Sequence, residues 1–279
     1  MICGNMPGPI AWLTHSWTTS LERTQGWLIP ILCAYMLIHA CRKLKGESLE
    51  GSLHGLWFIA TGFVLYLASI RTLQPRIAVA SIPFLLSGIV WCYWGGRATI
   101  RCAFPFFFIL ISAQPPNVYQ ATTGLQILST EAANWIIQLF GIQTRIEGTS
   151  VTLISGTEQM FNINGGCSGL HSLTALLTIS CTWAYLSDNL ALWKRLILAL
   201  SAFPLAIITN ILRISSIFIC SEFISPVFAS KTWHDWSGLL LFFPIGVIGL
   251  TILHDCLSGR VPFSPRRKVV ISKRSNQAQ

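Results

Sequence analysis

Seven stretches of this chain, at residues 27–40, 54–70, 77–94, 102–113, 168–186, 196–220 and 238–254, carry between them a single Lys, Arg, Asp or Glu. About 20 apolar residues cross a ~30 Å hydrocarbon core, and within that core only helices or closed barrels satisfy their own backbone groups. The expected fold is therefore an all-α polytopic membrane protein of about seven to eight transmembrane helices, one short N-terminal span being easy to miss. Only 10% of the residues are charged, less than half of the ~25% in a soluble domain, and the mean hydropathy is +0.59. A water-soluble globule, a disordered chain, a collagen and a coiled coil are excluded. No charged, apolar and A-x-A sequence of segments marks a signal peptide, so the first run is expected to be retained.

The basic residues then orient the helices. Nineteen Lys and Arg against ten Asp and Glu give +9, a balance that in a soluble protein points to nucleic acid. Here they lie between the apolar runs. One set of alternate connections holds Arg42, Lys43 and Lys45, then Arg97 and Arg101, then Lys194 and Arg195, then Arg260, Arg266, Arg267, Lys268, Lys273 and Arg274. The other set holds Arg23, then Arg71 and Arg76, then Arg145, then Lys231. Positively charged connections stay in the cytoplasm, so thirteen against five predicts an outside N-terminus and a cytoplasmic basic C-terminus. Residues 1–255 then form one transmembrane domain and 256–279 a basic tail that also suits anionic lipid.

One connection differs from the rest. Residues 114–166 fall outside in this topology, open with Pro115 and Pro116, and carry Glu131, Glu147 and Glu158 against Arg145 alone. Leu125, Leu128, Ala132, Trp135, Ile136 and Leu139 recur at spacings of three and four, which predicts an amphipathic helix lying on the membrane interface. Short strands are expected at 144–146, 151–154 and 159–163, broken by glycine. Connections this long are more often functional than plain.

Candidate chemistry starts with cysteine. Of nine, Cys33, Cys92, Cys102, Cys181 and Cys220 lie in or at the ends of apolar runs, where a thiol behaves as a small hydrophobe. No C-x-x-C or C-x-x-H pair exists, so no metal and no cofactor are expected. Cys167 stands apart, in Asn164-Gly165-Gly166-Cys167-Ser168-Gly169-Leu170 at the start of the fifth run. Glycines let a substrate approach the backbone, and a helix start favours the thiolate. A small residue in a glycine-rich turn gives the same pattern.

Arg213 is the one charge inside an apolar run. A cation there costs at least ~2.5 kcal/mol on insertion scales and usually lines a functional cavity. It either pairs with Glu222 or Asp235 or binds an anion. Asn210, one turn earlier, is placed to orient it. His234, in Trp233-His234-Asp235-Trp236-Ser237-Gly238, enters the seventh run from the same side as Cys167. Nucleophile, base and cation near one membrane face are what acyl transfer needs. Ser168 with Gly169 is a rival nucleophile, and His171, four residues after Cys167 on one helical face, a rival base. His254 and Asp255 fall at the other face, and His15, His39 and His54 have no evident partner.

In these motifs the sequence resembles the exosortase/archaeosortase family of polytopic membrane transpeptidases: Cys167-Ser168-Gly169-Leu170, then Asn210-Ile211-Leu212-Arg213-Ile214, then His234 with Gly238 four residues on. The resemblance implies a cysteine peptidase of the bacterial inner membrane, with Cys167 as nucleophile, His234 as acid/base and Arg213 as stabiliser. Its partners would be exported membrane-anchored proteins ending in a Pro-Glu-Pro-like motif, a transmembrane helix and a basic cluster, cleaved through a thioester and passed to an acceptor. His171 departs from the Arg or Asn that many members carry after C-S-G-L, and the Gly-Gly before the cysteine suggests a divergent, cyanobacterial-type branch. Two rivals stand beside this: an intramembrane protease that only hydrolyses, and a transporter or scaffold holding an anionic ligand on Arg213.

Overall fold

The computed structural model describes residues 8–18, 26–45, 49–113, 118–147, 150–154, 159–162 and 170–260. Helices dominate: α1 (Pro9–Thr18), α2 (Leu28–Leu44), α3 (Gly55–Thr72), α4 (Pro75–Phe108) with a 3-10 extension to Ala113, α5 (Val118–Leu139), α6 (Leu170–Leu186), α7 (Leu192–Leu200), α8 (Ala202–Phe223), the single turn α9 (His234–Ser237) and α10 (Phe243–Leu257). Between α5 and α6 lies an antiparallel sheet of β1 (Thr144–Glu147), β2 (Ser150–Leu153) and β3 (Gln159–Asn162), ordered β1-β2-β3, with Thr144 opposite Leu153 and Val151 opposite Phe161.

Among the described residues, four segments are long and apolar enough to cross a membrane: Gly55–Thr72, Pro75–Ala113, Leu192–Phe223 and Leu240–Leu257. Seven were expected, and the difference has physical causes. The 17 residues of α2 end in Arg42 and Lys43, and the apolar part of α6 is only Leu173–Leu186. The expected runs at 77–94 and 102–113 are joined without a loop, with Arg97 and Arg101 inside helix, so that by length and composition they count as one segment.

That segment is bent back on itself at Gly95, whose φ of 79° and ψ of 178° interrupt the helix. The rings of Phe84 and Phe107 meet at 5.2 Å, although 23 residues of straight helix span about 35 Å. Val90 likewise packs on the cluster of Ala40, Cys102 and Phe106, and Val79 shares a cluster with Ala113 and Leu110. Two antiparallel arms result. Only glycine fits the corner, since a Cβ on Gly95 would lie 2.1 Å from the Glu50 carbonyl oxygen.

Basic groups gather at one end of the bundle. Asp188, after α6, bonds His39 Nε2 at 3.0 Å, pairs with Lys43, and lies 3.7 Å from Arg195 Nη2. Arg101 Nη1 donates to the Lys43 carbonyl at 2.7 Å, and Lys194 Nζ to the Leu257 carbonyl at 2.6 Å. So the ends of α2 and α10, the second arm of the hairpin and the α6–α7 connection share one pole, and His39 does have a partner. Partial burial of Asp188 opposes ionisation, but its bond to Lys43 and the charges of Lys43 and His39 outweigh this and hold the carboxyl below its ordinary value. Arg76, stacked 5.7 Å over Trp12, belongs with α1 and Ala113 at the opposite pole.

The expected amphipathic helix is present as α5, but its polarity runs the other way from that of a soluble helix. Gln126, Ser129, Thr130, Ala133 and Ile137 form its buried face, while Leu128, Trp135 and Leu139 from the apolar stripe point outward, Trp135 being 66% exposed. Ala133 and Ile137 join Ile142, Val151 and Leu153 in one cluster with Ile214 and Phe218 of α8. The helix and sheet thus pack on α8 beside Arg213 instead of standing apart from the bundle.

Candidate active site

α8 runs through the centre of the molecule with a polar stripe on its buried face: Thr209, Asn210, Arg213 and Ser221 are all buried. Thr209 returns its hydroxyl to the Leu205 carbonyl at 2.8 Å and Ser216 its hydroxyl to the Arg213 carbonyl at 2.7 Å, a local pairing that lets hydroxyls sit in an apolar helix. Arg213 cannot be satisfied in that way.

Its partners come from the chain leading into α10. Arg213 Nε donates to Ser237 Oγ at 3.2 Å, and Nη2 to the His234 carbonyl at 2.9 Å. Ser237 Oγ donates in turn to the same carbonyl at 3.0 Å. A second crossbar lies one turn along, where Trp233 Nε1 donates to Ser216 Oγ at 3.0 Å. Residues 233, 234, 237 and 238 share one helical face, and both bonds press that face onto α8. Gly238 lies on the same face: a Cβ there would meet the Arg213 guanidinium carbon at 3.9 Å, an ordinary contact distance.

The turn that carries His234 is unusual in itself. α9 spans only His234–Ser237 and lies between two π-helical segments, Phe228–Trp233 and Gly238–Phe242. Such wide turns are frequent at functional sites. Here they flank the four residues whose backbone and hydroxyl hold Arg213. His234 is half-buried.

Arg213 is 7% exposed, and no carboxylate among the described side chains pairs with it. The ion pair with Glu222 that the sequence left open does not form; the side chain of Asp235 is outside the described set. Neither does Asn210 orient the guanidinium, because its Oδ1 is buried without any hydrogen-bond partner. Ser237 has that task. Sequence reasoning passed over it, although it stands three residues after His234 and one before Gly238.

Cys167, Ser168 and Gly169 lie outside the described residues, as does the side chain of His171. Directly after the Cys motif, α6 starts at Leu170 and packs on α8 and α10, with Leu176 in one cluster with Ala206 and Phe242 and facing Gly246. The structure therefore brings Arg213 together with the backbone of His234 and with Gly238, and sets Asn210 one turn away on the same face of α8.

Comparison with curated proteins and with solved structures returns no match. The family model for transmembrane exosortases (Exosortase_EpsH) matches residues 17–251, more than four fifths of the chain. That span runs from α1 past His234 into α10, and on it the chain belongs to the transmembrane exosortase family.

Proposed function

We propose that this protein is a membrane cysteine transpeptidase whose substrates are exported proteins ending in a Pro-containing motif, a transmembrane helix and a basic cluster. The observation that carries this is Arg213, buried and held by two neutral oxygens, with no carboxylate paired to it among the described side chains. A buried cation normally has a counter-charge. One held in place by neutral groups is matched to a negative charge that arrives with the substrate or develops in the reaction.

In this scheme the Cys167 thiolate attacks the scissile carbonyl, and Arg213 stabilises the oxyanion. The tetrahedral adduct collapses to a thioester, the leaving amine takes a proton from His234, and an acceptor then displaces the thiolate with His234 as base. Residues 1–255 act as one catalytic domain. Its seven spans are α2, α3, the two arms of α4, α6, α7 with α8, and α10, and the pole of Lys43, Arg101, Lys194 and Arg195 faces the cytoplasm of a bacterial inner membrane. The site then opens at the outer leaflet, where α5 and the sheet receive the extended signal.

The test is Cys167→Ala in the full chain, expressed in membranes beside a reporter ending in a Pro-Glu-Pro motif, a transmembrane helix and a basic tail. Full-length reporter is expected to accumulate. Processing at the wild-type rate would overturn the assignment of Cys167, and a free carboxylate in place of an added group at the product's new C-terminus would make the enzyme a hydrolase.

A further inference from the structure

Asn210 holds an acceptor that the fold does not use. The residue is 3% exposed, on the same face of α8 as Arg213, and its Oδ1 is fully buried with no hydrogen-bond partner. An unmade bond at a buried acceptor costs folding free energy, and such groups in native proteins call for an explanation. Five other described side chains also hold an orphaned atom: Trp17, Arg76, Ser87, Ser221 and Ser258. None is within a helical turn of Arg213, and none is a carboxamide. Arg213 itself does not need Asn210, since Nε and Nη2 are held by Ser237 and the His234 carbonyl.

We propose that Asn210 Oδ1 is a docking acceptor for a backbone N–H of the bound substrate peptide, a residue or two from the carbonyl that faces Arg213. The proposal rests on the transpeptidase function above. Residues three apart on a helix have Cβ atoms about 5–6 Å apart, and an extended peptide advances about 3.4 Å per residue. A strand with one carbonyl at the guanidinium therefore carries an N–H past Asn210. The contact reads backbone and not side chain. It fixes the register of the signal against Cys167 while leaving its sequence to other contacts, and it is made only when peptide is bound. The unbound enzyme keeps the acceptor empty and bears the cost.

Replacement by an isosteric apolar residue separates a docking role from a structural one. Asn210→Leu has nearly the same shape and removes a polar atom that makes no bond, so the free protein should melt at the same temperature or higher. Cleavage of the same reporter at low reporter level should fall about tenfold, the loss expected for one hydrogen bond to substrate. Cys167→Ala is run alongside. A lowered melting temperature would make Asn210 a structural residue and end the proposal. Wild-type melting with wild-type cleavage, while Cys167→Ala is inactive, would end it and leave the transpeptidase assignment standing. Wild-type cleavage by Cys167→Ala would remove that assignment, and the proposal with it.

Discussion

Ser237→Ala tests whether Arg213 is positioned by the turn that carries His234. The substitution deletes one oxygen, and with it the acceptor for Arg213 Nε at 3.2 Å and a donor to the His234 carbonyl at 3.0 Å. The guanidinium keeps its Nη2 bond to that carbonyl and so pivots about one attachment where it had two. Hydrogen bonds to charged groups are worth about 1.5–3 kcal/mol, and Arg213 is too buried for water to take over fully. If that energy is withheld from the transition state, kcat/KM falls about 10- to 150-fold, since every 1.4 kcal/mol is tenfold. The assay is reporter processing in membranes at several reporter levels, with Arg213→Ala and the double variant measured beside it. A positioning residue acts through its partner, so Ser237→Ala should cost little further on the Arg213→Ala background. Two equal, additive losses would refute the reasoning, because Ser237 would then act without Arg213.

The fold sets three further outcomes. Gly95→Ala puts a Cβ 2.1 Å from the Glu50 carbonyl at a backbone geometry that only glycine adopts freely; strain of about 1–3 kcal/mol plus the clash should lower the melting temperature in detergent by several degrees, and an unchanged melt would mean the hairpin does not turn there. Asp188→Asn removes a carboxylate whose pKa is lowered by Lys43 and His39. A depressed folded pKa gives stability that is present above the unfolded value and lost as pH falls through the folded one, so the variant should melt below wild type at neutral pH and match it in acid. A difference that grew in acid would reverse the sign. Nitroxides at Leu128→Cys and Trp135→Cys, on the outward face of α5, should be relaxed more by oxygen than by an aqueous nickel chelate, and the opposite result would put that face in water.

The helical, membrane-spanning character and the three strands of the insertion were legible because each rests on local pattern: strands expected at 144–146 and 151–154 appear at Thr144–Glu147 and Ser150–Leu153. Two features were less so. The arms of α4 match the runs expected at 77–94 and 102–113, but the corner between them depends on a single positive φ at Gly95, and glycine alone cannot say whether it marks a corner or a close helix contact such as Gly62 makes with Leu85. The orientation of α5 escaped because amphipathicity has no sign by itself. In water the apolar stripe turns inward. In α5 the polar Gln126, Ser129 and Thr130 turn inward instead, the arrangement that a lipid surrounding favours.

The candidate site was legible to the extent that its residues are costly. A charge in an apolar run is conspicuous, so Arg213 announces itself, and a histidine between two tryptophans nearly does. Ser237 could not, since a serine in a membrane helix most often bonds its own backbone, as Ser215 does to the Ile211 carbonyl at 2.8 Å. Its hydroxyl also returns to a carbonyl in its own helix, but that carbonyl is the one Arg213 uses. Asn210 failed in the opposite direction. Its spacing from Arg213 suggested a bond that Arg213, already held by neutral oxygens on the α9 turn, does not make. Spacing puts side chains on one face; only the count of donors against acceptors says which of them are satisfied. By that count, among the described side chains, the face of α8 that meets α9 holds a cation without a counter-charge and an acceptor without a donor. An extended peptide carries both missing partners, a carbonyl that becomes an oxyanion and an N–H beside it.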